Sequence, residues 1–154
     1  MTEPDSSGDS IPDRLRSRGL RVTAPRVTVL SLIEATPHLP APEIVRLTRA
    51  QLGTVSVQGV YDVLAALTDA HLLRRIEPAG SPARYEARVG DNHHHLVCRG
   101  CGLTVDVDCA VGRAPCLDPS SGPGQLGPAG GFVVDEAEVV WWGWCPGCQA
   151  ARAS

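Results

Sequence analysis

Lysine is absent from this 154-residue sequence, and all 14 of its basic side chains are arginine. Phenylalanine occurs once, so aliphatic residues must fill whatever core the 43% hydrophobic fraction supports. No apolar run approaches the roughly 20 residues that a membrane-spanning helix needs, which excludes a helical membrane protein. Residues 1–10 are acidic and serine-rich and lack the apolar stretch of a secretory signal. A disordered acidic tail there and a cytoplasmic location are the expectation. No nucleophile–base pair and no glycine-rich phosphate loop stands out, so an enzyme is not expected.

What is present is metal-ligand chemistry. Three of the five histidines stand in Asp91-Asn92-His93-His94-His95-Leu96-Val97, directly before Cys98-Arg99-Gly100-Cys101. A second C-x₂-C pair, Cys145-Pro146-Gly147-Cys148, follows after 43 intervening residues, 102–144. Two such hairpin-like knuckles can surround one Zn²⁺ with four thiolates, and a glycine in each lets both sulfurs face one point. A single pair would read as redox-active or accidental. The spacing exceeds that of an ordinary zinc ribbon, so the site would staple distant parts of a domain. Paired cysteines without an export signal favour a reducing compartment and metal over disulfides. In a strand, His93 and His95 project to one face and His94 to the other.

Net charge is distributed unevenly. Residues 1–10 carry three acids, 11–85 ten arginines against six acids, and 86–154 four arginines against eight acids. At this length the chain is one domain or two small ones. A basic half joined to an acidic, ligand-rich half suggests separate nucleic-acid-binding and sensing modules, although scattered surface charge would give the same counts.

The basic half predicts helices followed by a hairpin. A short helix over Asp13–Arg18 stops at Gly19. Thr23 can cap a second, with Pro25 in its first turn and Val27, Leu30 and Ile33 on its apolar face. A third runs from about Ala41 to Leu52, entered from Pro40 and ended by Gly53. The fourth begins at Ser56 as N-cap and places Val60, Val63, Leu64 and Leu67 at helical spacing, with His71 closing it in left-handed backbone. Leu72–Ile76 and Ala83–Ala87 form a hairpin. This order resembles a winged helix-turn-helix with Ser56–Asp69 as the major-groove helix. Arg14, Arg16, Arg18, Arg21 and Arg26 suit phosphate contacts, and Arg21 and Arg26 flank a helix N-terminus. Tyr61 is a further DNA-contact candidate, or else a partly buried helix aromatic.

In one order stand Gly19-Leu20-Arg21-Val22-Thr23-Ala24-Pro25-Arg26, Val60-Tyr61, Ala83-Arg84-Tyr85-Glu86, and His93 to Gly102, followed by Asp106 and Cys145–Cys148. Across about residues 12–148 the chain resembles the ferric uptake regulator family of metal-dependent repressors. Asp106-Val107-Asp108-Cys109, with Cys116 beyond, is similar to the actinobacterial branch that represses catalase-peroxidase genes. The resemblance implies an α+β fold: a winged helix over 11–86, then a small α/β, zinc-stapled dimerisation domain over 87–150. It implies a homodimer on a double-stranded DNA operator, with no membrane partner. Structural Zn²⁺ would be held by Cys98, Cys101, Cys145 and Cys148. Regulatory Fe²⁺ or Mn²⁺ would be held by His38, Glu86, His93, His95 and Asp106, a nitrogen and oxygen set suited to those ions. The implied function is a repressor responding to iron, peroxide or both. The alternatives are a sensor of zinc, manganese or nickel without peroxide response and, further off, a zinc-stapled interaction module.

Some positions depart from the family pattern. Gly59 and Asp62 replace the threonine and arginine usual around Val60-Tyr61, and Asp62 would repel phosphate. A further metal site found in some members would need histidines at Asn92 and Ala137, and His94 alone does not make it. Cys109 and Cys116 lie outside the zinc set, where they are either oxidation-sensitive or inert. Asp118–Gly131 predicts a flexible loop by composition. Phe132-Val133-Val134 and Val139–Trp142 read as strands whose apolar runs suit either a dimer interface or core packing.

Overall fold

The computed structural model describes residues 9–117 and 133–153. The chain divides into two compact units, Met1–Val89 and Gly90–Ser154. The loop expected over 118–131, Phe132 and most of the expected acidic tail lie outside the described residues.

In the first unit the order is α1 (Ile11–Ser17), α2 (Ala24–Ala35), β1 (Leu39–Pro40), α3 (Ala41–Leu52), α4 (Val57–Asp69), β2 (Arg74–Ile76) and β3 (Arg84–Glu86). The Ser10 hydroxyl accepts a hydrogen bond from the Asp13 N–H and so starts α1. Thr23 occupies the N-cap of α2 but makes no side-chain capping bond, contrary to expectation, and Pro25 fills the first turn. The Ser56 hydroxyl does cap α4, accepting from the Gly59 N–H at 2.9 Å. Each helix turns a stripe inward: Leu15 from α1, Val29, Leu30 and Ile33 from α2, Ile44 and Val45 from α3, and Val60, Leu64 and Leu67 from α4. His71, just beyond α4, has φ 55°, in the left-handed region that histidine tolerates better than most residues.

The expected hairpin forms as β2 paired antiparallel to β3, with Arg75 opposite Tyr85. It is joined by a strand that the sequence does not announce. Two residues, Leu39 and Pro40, pair with Tyr85 and Arg84, giving the sheet order β1-β3-β2. A two-residue strand has no periodicity to read; only its partner defines it.

The second unit is a sheet of β4 (His93–Cys98), β5 (Thr104–Asp108) and β6 (Val140–Gly143), followed by α5 (Pro146–Arg152). β4 is central, antiparallel to β5 and parallel to β6. The expected strand over Phe132–Val134 is not formed by its described residues: Val133 and Val134 are irregular, and Val133 is 91% exposed.

Candidate metal centres and nucleic-acid interface

The four cysteines of the two C-x₂-C pairs meet within the second unit, with all four sulfurs within 4.8 Å of one another. Cys98 ends β4 and Cys101 follows a turn. The second pair is not the hairpin knuckle expected from sequence. Cys145 is the N-cap of α5 and Cys148 lies in its first turn, because Pro146 starts a helix readily. The Cys98 sulfur accepts N–H bonds from Cys145 at 3.3 Å and Gly100 at 3.4 Å. Hydrogen bonds from the Cys145 and Cys101 amides overcome burial and hold its thiol down at about 6. Cys148 is pushed up to about 12 by the sulfurs of Cys145, Cys98 and Cys101. A divalent cation at the centre relieves this crowding by taking the place of the thiol protons. The cradle also excludes bulk: a Cβ on Gly100 would lie 2.8 Å from the Cys148 sulfur. The donor set and the closeness of its sulfurs fit tetrahedral zinc.

A second cluster lies on the opposite side of β4. The β4–β5 register sets His95 against Asp106. Alternation brings His93 to the same face, with ring centroids 5.0 Å apart. Asp106 Oδ1 is 3.5 Å from His95 Nε2 and 3.7 Å from His93 Nε2. Both histidines are fully buried. Asp91, which sequence reasoning did not single out, lies 2.9 Å from His93 Nδ1 and so turns Nε2 toward Asp106. A carboxylate behind an imidazole is the usual way of fixing a metal-binding tautomer. The only signal for it was its place two residues before His93.

The remaining predicted ligands, His38 and Glu86, pair within the first unit. His38 follows α2 with φ 64°, held by its N–H to the Tyr85 carbonyl at 3.0 Å and by Arg84 Nη1 donating to its own carbonyl at 3.1 Å. Its Nε2 then lies 2.9 Å from Glu86 Oε2, the last residue of β3. Glu86 is 1% exposed, and Arg74 Nε stands 3.9 Å from its other oxygen. A buried carboxylate facing an imidazole edge is a half-site for a cation.

Of the DNA-contact candidates, Tyr61 is on α4 with 39% of its surface exposed. Asp62, whose charge was a concern, accepts from Gln58 Nε2 at 2.9 Å along the helix. Arg26 Nη1 donates to the Arg21 carbonyl at 2.9 Å, tying the approach to α2 to its first turn. Arg14 and Arg16 are held by carboxylates, Glu34 and Asp13 respectively. No helix is long and apolar enough to cross a membrane among the described residues.

The model of the ferric uptake regulator family matches residues 17–111, more than half of the chain. The chain is 55% identical over 148 residues to the transcriptional regulator FurA of Mycobacterium tuberculosis, covering 94% of this chain and 96% of that one. Its fold is similar to the ferric uptake regulator of Vibrio cholerae, at 23% identity and TM-score 0.63, covering 88% of this chain and 100% of that one. It is similar also to a zinc uptake regulator solved with zinc and DNA, at 18% identity and TM-score 0.65, covering 91% of each. On the family match and the extent of the FurA likeness, this chain belongs to the ferric uptake regulator family of transcriptional regulators rather than to any class of enzyme.

Proposed function

We propose that this chain is a homodimeric, metal-dependent repressor that binds an operator in double-stranded DNA and answers to iron, to peroxide or to both. The observation that carries this reading is the convergence of His93, His95 and Asp106 on one face of β4 and β5, apart from the thiolate site. Nitrogen and oxygen donors suit Fe²⁺ or Mn²⁺, whereas the closed thiolate set suits structural zinc. The proposed regulatory ligand set is His93, His95 and Asp106 together with His38 and Glu86. Because these two groups belong to different units, a shared cation would bias the units toward one relative orientation. It thereby raises affinity for DNA only insofar as it binds that state better.

DNA binding would use α4 with Tyr61, and Arg21 and Arg26 at the phosphates. A dimer is supported by the exposed apolar face of the second sheet, where Leu96, Val105 and Trp141 adjoin at 43%, 46% and 45% exposure. The FurA likeness supports the branch, and the peroxide part of the reading rests on the branch resemblance at Asp106, Cys109 and Cys116.

When bound, iron supplies redox chemistry toward peroxide that manganese does not. His38, His93 and His95 are the side chains that would meet that chemistry, and losing one as a ligand would release the DNA. The test is peptide mass spectrometry, beside DNA binding, after peroxide treatment of the Fe²⁺ and Mn²⁺ forms. The expected result is gain of one oxygen on a peptide holding His38 or His93–His95, only with iron, together with loss of DNA binding. Oxidation at Cys109 or Cys116 instead would move the sensor to the thiols. DNA binding that survives peroxide in both forms would leave a repressor responsive to metal alone.

A further inference from the structure

One group of ligand-type side chains is used by neither centre. His94 leaves β4 on the face opposite His93 and His95. Its Nε2 is 3.1 Å from the sulfur of Cys116, and the sulfur of Cys109 completes a set lying within 4.8 Å of one another. His94 is 3% exposed, and its ring stands edge-on to Trp141 with centroids 5.8 Å apart. Cys109 follows β5, where its N–H donates to the Asn92 carbonyl at 3.3 Å, so it is anchored beside β4.

The surroundings of Cys109 share one feature with those of Cys98, although Cys98 also receives the Cys145 amide. In the zinc cradle the Cys98 sulfur receives the amides of the residues two and three places on, Gly100 and Cys101. The Cys109 sulfur receives the amides of Val111 and Gly112, again two and three places on. Burial pushes the Cys109 thiol up, but these amides and the Cys116 thiol outweigh it and leave it lowered. Amide-backed sulfur is suited to carry the negative charge a metal needs.

We propose that His94, Cys109 and Cys116 form a third metal site, one nitrogen and two thiolates, for a thiophilic cation with a filled d shell such as Zn²⁺ or Cu⁺. Three ligands leave one position open for water or an outside ligand on Zn²⁺, and suffice by themselves for Cu⁺. The donors set it apart both from the four-thiolate site and from the nitrogen and oxygen set on the other face. It does not depend on a shared cation between the units. Binding releases the two thiol protons. The Val139 N–H donates to His94 Nδ1 at 3.3 Å, which leaves the ring proton of the neutral imidazole on Nε2, facing Cys116. On binding, the cation takes the Nε2 position, the ring proton moves to Nδ1, and the long bond from Val139 opens. The site would then fasten the segment from Cys109 to Cys116 onto the central strand.

The test is a Co²⁺ titration of the full-length, zinc-loaded protein kept reduced by a phosphine, read by thiolate-to-cobalt charge transfer in the near ultraviolet. The regulatory donors contain no sulfur and give no such band, and a chromophoric chelator reports any zinc displaced from the four cysteines. Wild type should develop the band to one equivalent without zinc release. Cys109→Ser with Cys116→Ser should abolish it, His94→Ala should weaken it, and His95→Ala should keep it. Should the double variant not fold, X-ray absorption on the wild type decides, with two sulfurs and a nitrogen around the added metal expected. A silent titration with both thiols free to alkylate overturns the proposal. So does a band that tracks zinc release, or a Cys109–Cys116 disulfide that re-forms under reductant and takes up no metal.

Discussion

In the first unit, thirteen buried apolar residues drawn from four helices, β3 and the Leu72-Leu73 step form one continuous cluster. Among the described residues of the second unit, the buried side chains are Val97, Thr104, Cys98 and three histidines, while Leu96, Leu103, Val105 and Trp141 remain more than a third exposed. One unit closes around hydrocarbon; the other closes around groups that would rather be charged. The first is stabilised chiefly by burial, at about 25 cal/mol for each Å² of apolar surface removed from water. The second gathers sulfur and imidazole that repel or strand one another until a cation is present. Its folding is therefore linked to metal in a way that the first unit's is not.

Removing a thiolate should break this contrast most visibly. Structural zinc contributes roughly 10–16 kcal/mol of apparent binding free energy in small metal-folded domains, so Cys98→Ser should lose zinc, the second unit's protection from hydrogen exchange and the dimer. The amides of α2, α3 and α4 should keep their protection. A zinc-free dimer with both units protected would end the zinc assignment and the contrast with it.

The converse variant is Leu64→Ala. Leu64 is fully buried in the first unit's core, and its truncation should cost about 2–5 kcal/mol there. Zinc content should not change. Thermal unfolding followed by intrinsic zinc release would separate the two events, and coincident loss of both would mean that the units do not unfold independently.

A smaller effect is expected from charge. Arg21→Ala with Arg26→Ala should weaken DNA binding across sequences and lower the slope of log K against log salt by about 2 if each meets one phosphate. Metal content and oligomeric state should be unaffected. An unchanged slope across a salt series would move the DNA surface away from the start of α2.

The smallest is a single cap. Ser56→Ala removes the one side-chain bond to the Gly59 amide and should cost about 1 kcal/mol of the first unit's stability. Thr23→Ala should cost less, since Thr23 makes no such bond. Equal losses, measured by denaturant midpoint, would show that cap geometry rather than the hydroxyl matters here.

The first unit was the more legible in sequence for the same reason that it is the more self-sufficient. A stripe of Val60, Leu64 and Leu67 behind Ser56 is a local pattern, and the helix it announces spans Val57–Asp69. The end of α3 at Leu52 could be read from Gly53, while Pro40 at its start supplies no side-chain cap. Alternation along β4 likewise determined that His93 and His95 share a face and that His94 does not. Paired cysteines announced a thiolate cluster, but the second pair opens α5 instead of forming the hairpin knuckle that its spacing suggests. What tertiary structure decided depends on residues far apart in the chain. β1 exists only because Tyr85 and Arg84 pair with it. His38 meets Glu86, 48 residues away, because that pairing and a left-handed backbone aim its ring. Asp106 reaches the histidines through the register of β5 against β4. Cys116 comes to His94 across 22 residues whose spacing signals nothing. Periodicity and caps are properties of neighbours and can be read along a line; a ligand set is a property of a point in space, which the chain reaches only when folded.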